Sequence, residues 1–219
     1  MLPSAYTELF FDLDGTLTDS GPGIMNSARY ALERLGVHDS GEDELRRFVG
    51  PPLYDSFRRF YGFDEATAHE GVRLYREYYA VQGIFENTLY PGIFALLDAL
   101  RAAGKRLTIA TSKPEHFALR VAEHFALTDY FTLVAGALSD ETRCRKADVV
   151  RYALQARGLT DPAAVLMTGD RAYDVRGAAE CGMRCIGVLY GYGTRAELEE
   201  AGAWRVAESV AALQALLLP

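Results

Sequence analysis

The sequence predicts an α/β fold, a doubly wound parallel sheet with an all-helical insert after its first strand. Three observations predict it. Five short apolar runs, rich in β-branched or aromatic residues, have the make-up of buried strands: 7–11, 107–111, 133–135, 165–168 and 185–188. Helical patterns alternate with the later runs, which calls for crossover connections and helices on both faces of a parallel sheet. Between the first and second runs the alternation stops, and residues 22–82 hold helical patterns with no convincing strand.

Each element has its own signal. In the insert, Pro22 suits the first turn of a helix running to Leu35 and stopped by Gly36. Pro51 and Pro52 break the chain before a helix over 53–61, and Asp64 can cap a third running to about Val81. Phe57, Phe60, Tyr61, Tyr75, Tyr78 and Tyr79 make this block aromatic. Beyond it, helix 93–103 ends at Gly104, and helix 114–125 begins with Ser112 and Glu115 in capping-box register. Helices 146–157 and 172–181 end at Gly158 and Gly182, in the manner of C-terminal glycines. The expected division is a core of residues 1–18 and 88–219 and a helical domain of residues 19–87.

Bulk properties narrow the function. The chain has 219 residues, 49% hydrophobic and 24% charged, an ordinary globular balance. Its net charge of -7 argues against a nucleic-acid polymer as partner, although a local metal or lysine can still favour a small anion in one cleft. Cys144, Cys181 and Cys185 lack metal-type spacing and read as reduced thiols. No basic segment precedes the first apolar run, and no uncharged stretch approaches the roughly 20 residues of a membrane span. The expectation is a soluble cytoplasmic protein, monomer or homodimer, without membrane contact.

In open α/β sheets ligands bind beyond the carboxyl ends of the strands. The first predicted strand runs into Asp12-Leu13-Asp14-Gly15-Thr16, another ends in Thr111-Ser112-Lys113, and a third in Gly169-Asp170, with Asp174 following. Alternation along a strand would point Asp12 and Asp14 the same way. Asp12, Asp14, Asp170 and Asp174 would then converge, repel and raise one another's pKa values unless a hard divalent cation such as Mg²⁺ joined them. Each Asp alone reads as a cap or turn residue; four at strand ends favour the metal. Thr111 suits a direct phosphate ligand, while Ser112 stays open between helix capping and phosphate binding. Among Lys146, Lys113, Lys105, Arg143 and Arg145, composition does not choose the cation. His38, His69, His116 and His124 show no metal spacing, and neither G-x-x-x-x-G-K-[ST] nor G-x-S-x-G occurs.

"DLDGT" after an apolar strand, "TSK" after a second, a later Lys146 and "GDRAYD" after another resemble the four motifs of the haloacid dehalogenase-like hydrolases, in that family's order from Asp12 to Asp174. The resemblance implies a Rossmann-like core with a small helical cap, and hydrolysis of a small phosphorylated metabolite with Mg²⁺. Residue by residue, it implies that Asp12 is the nucleophile forming an aspartyl-phosphate and Asp14 the general acid and base. It implies Thr111 and Lys146 as phosphoryl-binding residues, Asp170 as a metal ligand, and Asp174 as a ligand or its support. Metal contact at Asp14 is implied through its backbone carbonyl. The second aspartate of the first motif, absent from the family's dehalogenases, argues against carbon–halogen chemistry. Lys146 is followed by Ala147, where many relatives carry proline. "FVGPPLYDSF" and "YGYGTRAELEEAGA" are similar to the phosphoglycolate-phosphatase and 5′-nucleotidase branch. The alternatives are a phosphomutase of the β-phosphoglucomutase type and a catalytically silent binding module; the intact Asp12, Asp14, Lys146 and Asp170 disfavour the latter.

Overall fold

The protein is described from a computed structural model covering residues 2–138 and 142–218. The outer limits of the expected core domain, Met1 and Pro219, lie outside the described residues. The chain folds into two compact units, one of residues 1–18 and 89–219 and the other of residues 19–88.

The larger unit is built on a six-stranded sheet. Its strands are β1 (Glu8–Phe11), β4 (Arg106–Pro114), β5 (Phe131–Ala137), β6 (Val165–Gly169), β7 (Arg184–Val188) and β8 (Arg205–Ala207). The two-residue strands β2 (Thr18–Asp19) and β3 (Thr88–Leu89), where the chain passes between units, form a separate two-stranded sheet. The main sheet runs in the order β5-β4-β1-β6-β7-β8, and every paired neighbour is parallel. Parallel pairing needs crossovers, supplied by α5 (Ile93–Ala102), α6 (Glu115–His124), α7 (Lys146–Ala156), α8 (Ala172–Glu180) and α9 (Arg195–Glu200). The C-terminal α10 (Val210–Leu217), capped by the Ser209 hydroxyl accepting from Ala212 N at 3.1 Å, packs against α5.

The chain winds outward through β1, β4 and β5, then returns to β1's other side with β6 and continues to β7 and β8. That reversal makes β1 the central strand, and its carboxyl end is where a ligand crevice is expected. Burial on both faces explains the strand sequences: all four residues of β1 and all five of β6 are buried, and Glu8 is the one ionised group among them. Glu8 is neutralised by Arg157 at 3.2 Å and by Arg106, at the end of the sheet away from the acidic motifs. Phe10, Met167, Val149, Val150, Ala153 and Cys185 belong to one continuous buried cluster.

The smaller unit is helical: α1 (Gly21–Arg34), α2 (Glu42–Arg46), α3 (Leu53–Tyr61) and α4 (Glu65–Tyr78), the last running on into a π turn over Tyr79–Gly83. Asp64 caps α4, its carboxylate accepting from Thr67 N at 2.8 Å. Aromatic residues share its core with aliphatic ones such as Leu32, Leu45 and Leu74, the buried Phe48 lying edge-on to Phe57 at 5.0 Å and to Phe60 at 5.8 Å. Gly23 lets α1 meet the π turn backbone to backbone: a Cβ there would lie 1.9 Å from Gly83 O.

Candidate active site

Strand β1 ends at Phe11, and the next residue is tied to the neighbouring strand by Asp12 N donating to Thr168 O at 2.9 Å. Register places Phe11 opposite Thr168 in β6, so Asp12 and Asp170 leave the sheet side by side. Asp174 lies in the first turn of α8, its Oδ2 accepting from Arg171 N at 3.0 Å. Asp12, Asp170 and Asp174 are all buried and offer carboxylate oxygens within 4.8 Å of one another. Close approach is possible because glycines flank them. A Cβ on Gly15 (φ +80°) would lie 2.2 Å from Asp170 Oδ2, and one on Gly169 would lie 2.2 Å from Asp174 Cγ.

Lys146, the first residue of α7, is 6% exposed and points into this group. Its Nζ lies 2.8 Å from Asp12 Oδ1 and 2.7 Å from Asp174 Oδ1, and donates to Ala110 O at 3.0 Å. Gly177 of α8 makes room for it, since a Cβ there would sit 2.6 Å from Lys146 Cγ. The other candidate cations are occupied elsewhere: Lys105 binds the Ser4 and Tyr6 carbonyls, Arg143 pairs with Glu115, and Arg145 with Glu180.

Two sequence expectations need correction. Asp14 does not bring its carboxylate to the other three. The strand has ended before Asp12, so period-two alternation no longer applies; Asp14 makes an isolated bridge with Thr18, and both its oxygens bind Lys113 Nζ, at 2.9 and 2.8 Å. Ser112 and Glu115 form no capping box. Strand β4 continues through Pro114, which itself occupies the N-terminal cap of α6, and Glu115 instead accepts from Gly136 N at 3.1 Å and pairs with Arg143. The extra strand residues set Ser112 exposed while Thr111 and Lys113 are buried on either side of it. Lys113 was one of five cations left open by composition; the alternation Thr111-Ser112-Lys113 is the signal that could have singled it out.

The family model described as haloacid dehalogenase-like hydrolase matches residues 9–188. The chain belongs to the haloacid dehalogenase-like hydrolases. Among relatives, a 5′-nucleotidase of Pseudomonas aeruginosa is 43% identical over 212 residues, covering 97% of this chain and 96% of that protein. A phosphoglycolate phosphatase of Chromobacterium violaceum is 31% identical over 217 residues, covering 94% of each. The tyrosine-protein kinase PtkA of Mycobacterium tuberculosis is 44% identical over 186 residues, which span 84% of this chain and 62% of that longer protein. A solved structure described as a predicted phosphatase from Clostridium acetobutylicum superposes with a TM-score of 0.91 at 43% identity, covering 97% of this chain and 98% of that one. This haloacid dehalogenase-like chain is therefore an enzyme of the phosphatase kind. No helix among its described residues is long and apolar enough to cross a membrane.

Burial dominates the electrostatics of the family's acidic centre in this chain. It raises the Asp12 pKa from 3.8 to about 6, with Asp174 adding to the rise and the Lys146 ammonium opposing it. Burial, then Asp174 and Asp12, raise Asp170 as well. For Lys146, burial favours the neutral amine, but Asp12 and Asp174 outweigh it and the net shift is upward. In the metal-free protein the folded state holds the Asp12 proton more tightly than the unfolded chain does. Its stabilising contribution is thus fully present below pH 3.8 and is lost as pH climbs through about 6. Chelated wild-type protein should lose unfolding free energy relative to Asp12→Asn across that window, by up to about 1.4 kcal/mol per pH unit. Denaturant titrations at stepped pH measure the difference; a flat difference would contradict the assigned burial of the charge.

Proposed function

We propose that the protein is a Mg²⁺-dependent phosphatase that hydrolyses a small phosphomonoester through an aspartyl-phosphate on Asp12. The observation that carries this reading is the buried group of Asp12, Asp170 and Asp174 around Lys146. Fully ionised, three carboxylates and one ammonium leave two negative charges, which a divalent cation would balance. Asp170 Oδ1 is buried with no hydrogen-bond partner, a costly state for a carboxylate unless a cation takes it up. The residues present fit a hard cation, which Asp12, Asp170 and Asp174 would hold, with the Asp14 backbone carbonyl added by the family resemblance alone. When bound, Mg²⁺ would offset the charge that spreads over the phosphoryl oxygens.

The residues of the chain carry the rest of the reaction. Thr111 and Lys146 bind the phosphoryl oxygens, with Ser112, exposed at the same strand end, a further candidate for that role. An Asp12 oxygen attacks phosphorus, the ester P–O bond breaks, and Asp14 gives its proton to the departing oxygen. Asp14 then takes a proton from water as the water oxygen attacks phosphorus, and the bond to Asp12 breaks to release phosphate. The helical unit of residues 19–88 corresponds in this reading to the family's small helical cap.

The names of the relatives make nucleoside 5′-monophosphates and phosphoglycolate the first substrates to try. A tyrosine hydroxyl replacing water as acceptor is the second reading, motivated by the relative named as a tyrosine-protein kinase. Purified protein with Mg²⁺ should release phosphate from at least one member of a panel of these esters, sugar phosphates, tyrosine phosphate and p-nitrophenyl phosphate, and chelation should stop it. No release from any ester would sink the phosphatase reading. Label transferred to a tyrosine peptide in preference to water would favour the second.

A further inference from the structure

The segment of residues 190–197, which runs from the loop after β7 into the first turn of α9, grips both acidic loops. Tyr192 N donates to Asp170 Oδ2 at 2.9 Å, which leaves the other oxygen, Oδ1, as the buried one without a hydrogen bond. Gly191 and Gly193 press backbone against backbone: added Cβ atoms would lie 2.2 Å from Gly15 O and 1.9 Å from Asp170 O, respectively. Tyr190 reaches the first loop, its hydroxyl donating to Thr16 O at 3.1 Å. Glu197 reaches the second, with Oε1 accepting from Ala172 N at 2.9 Å and from Arg171 Nε at 2.8 Å.

The Glu197 contact is unexpected from local rules. Thr194 caps α9 by accepting from Glu197 N at 3.2 Å, and T-x-x-E spacing would ordinarily send the glutamate back to its own helix start. Here Glu197 instead satisfies a free N–H at the start of α8, the helix that carries Asp174.

We propose that residues 190–197 form a brace that sets the cation affinity of the site, with Gly191, Gly193 and Glu197 as positioning residues. The brace fixes which Asp170 oxygen faces the acidic group and holds the α8 start against it. Partners of this kind orient ligands, and their loss typically weakens metal binding by about 10–100-fold. This inference rests on the Mg²⁺ reading above, and the test separates the two.

Calorimetric titration of substrate-free protein with MgCl₂ reads affinity without turnover, and thermal melts confirm that each variant is folded. Wild-type protein should bind Mg²⁺. Gly193→Ala must displace the Asp170 backbone, and Glu197→Ala removes the acceptor for Ala172 N; each should raise the Kd by about 10-fold or more. Glu197→Gln keeps an oxygen for both Ala172 N and Arg171 Nε and loses only the charge of its partly buried pair with Arg171, so its Kd should stay within about threefold of wild type. Tight Mg²⁺ binding by Glu197→Ala and by folded Gly193→Ala would overturn the brace while leaving the metal reading intact. Should Gly193→Ala fail to fold, the Glu197 pair decides alone. No Mg²⁺ binding by wild type would overturn the metal reading and the brace together.

Discussion

Asp12→Asn should release phosphate at a rate lower by on the order of 10⁴-fold or more, because the substitution removes a nucleophile on which both half-reactions depend. The same change should leave the fold intact. Asn matches Asp in shape, and the backbone N–H that ties position 12 to Thr168 O is untouched. It also removes one of three like charges from a buried group, so the chelated variant should be at least as stable as wild type above pH 6. Steady-state phosphate release beside denaturant unfolding distinguishes the two effects. A variant that folds normally and keeps more than about a tenth of wild-type turnover would show that Asp12 is not the attacking group.

Lys146→Met should be the most destabilising single change in the acidic centre. Methionine has similar length and would fill the space that Gly177 leaves. What it cannot supply is the ammonium 2.8 Å from Asp12 and 2.7 Å from Asp174. Removing one partner from a buried ion pair costs about 3–5 kcal/mol, since the remaining charges have neither water nor counter-ion. The loss should be largest above pH 6 in chelated protein and smaller at acid pH, where Asp12 takes up a proton instead. Added Mg²⁺ should recover part of it by mass action. Phosphate release should fall by about 10²–10³-fold through loss of a charge aimed at the phosphoryl group. Lys146→Arg is no safe substitute, because the guanidinium is wider and α8 already approaches the lysine stem at Gly177. Unchanged stability in the chelated methionine variant would contradict the assigned pairing.

The core strands were legible because burial on both faces makes them near-continuous apolar runs bounded by turn residues. Leu9, Phe10 and Phe11, or Val165 through Met167, leave little else to be. Strand β8 gave no comparable signal: it has three residues, Arg205–Ala207, one exposed and one half-buried, and exists because β7 offers it an edge. The acidic residues were legible from type and position, and strand order brings three of them together. The fourth was misplaced because alternation was carried past Phe11, where the backbone had already left the strand for the tight turn at Gly15. The same kind of boundary error hid Lys113, since ending β4 at Thr111 made Ser112 look like a cap rather than the exposed member of an alternating triplet. Glu197 and the Tyr192 N–H could not be read locally. One is a glutamate in capping register and the other a backbone group, and both gain their partners only when the chain after β7 folds back over Asp170 and the start of α8.

The stereochemical course at phosphorus bears most directly on whether Asp12 is phosphorylated during turnover. Hydrolysis of an isotopically chiral phosphate ester by the wild-type protein should proceed with net retention of configuration, the sum of two in-line displacements, first by Asp12 and then by water. Net inversion would mean that water attacks the substrate directly, and would contradict the aspartyl-phosphate.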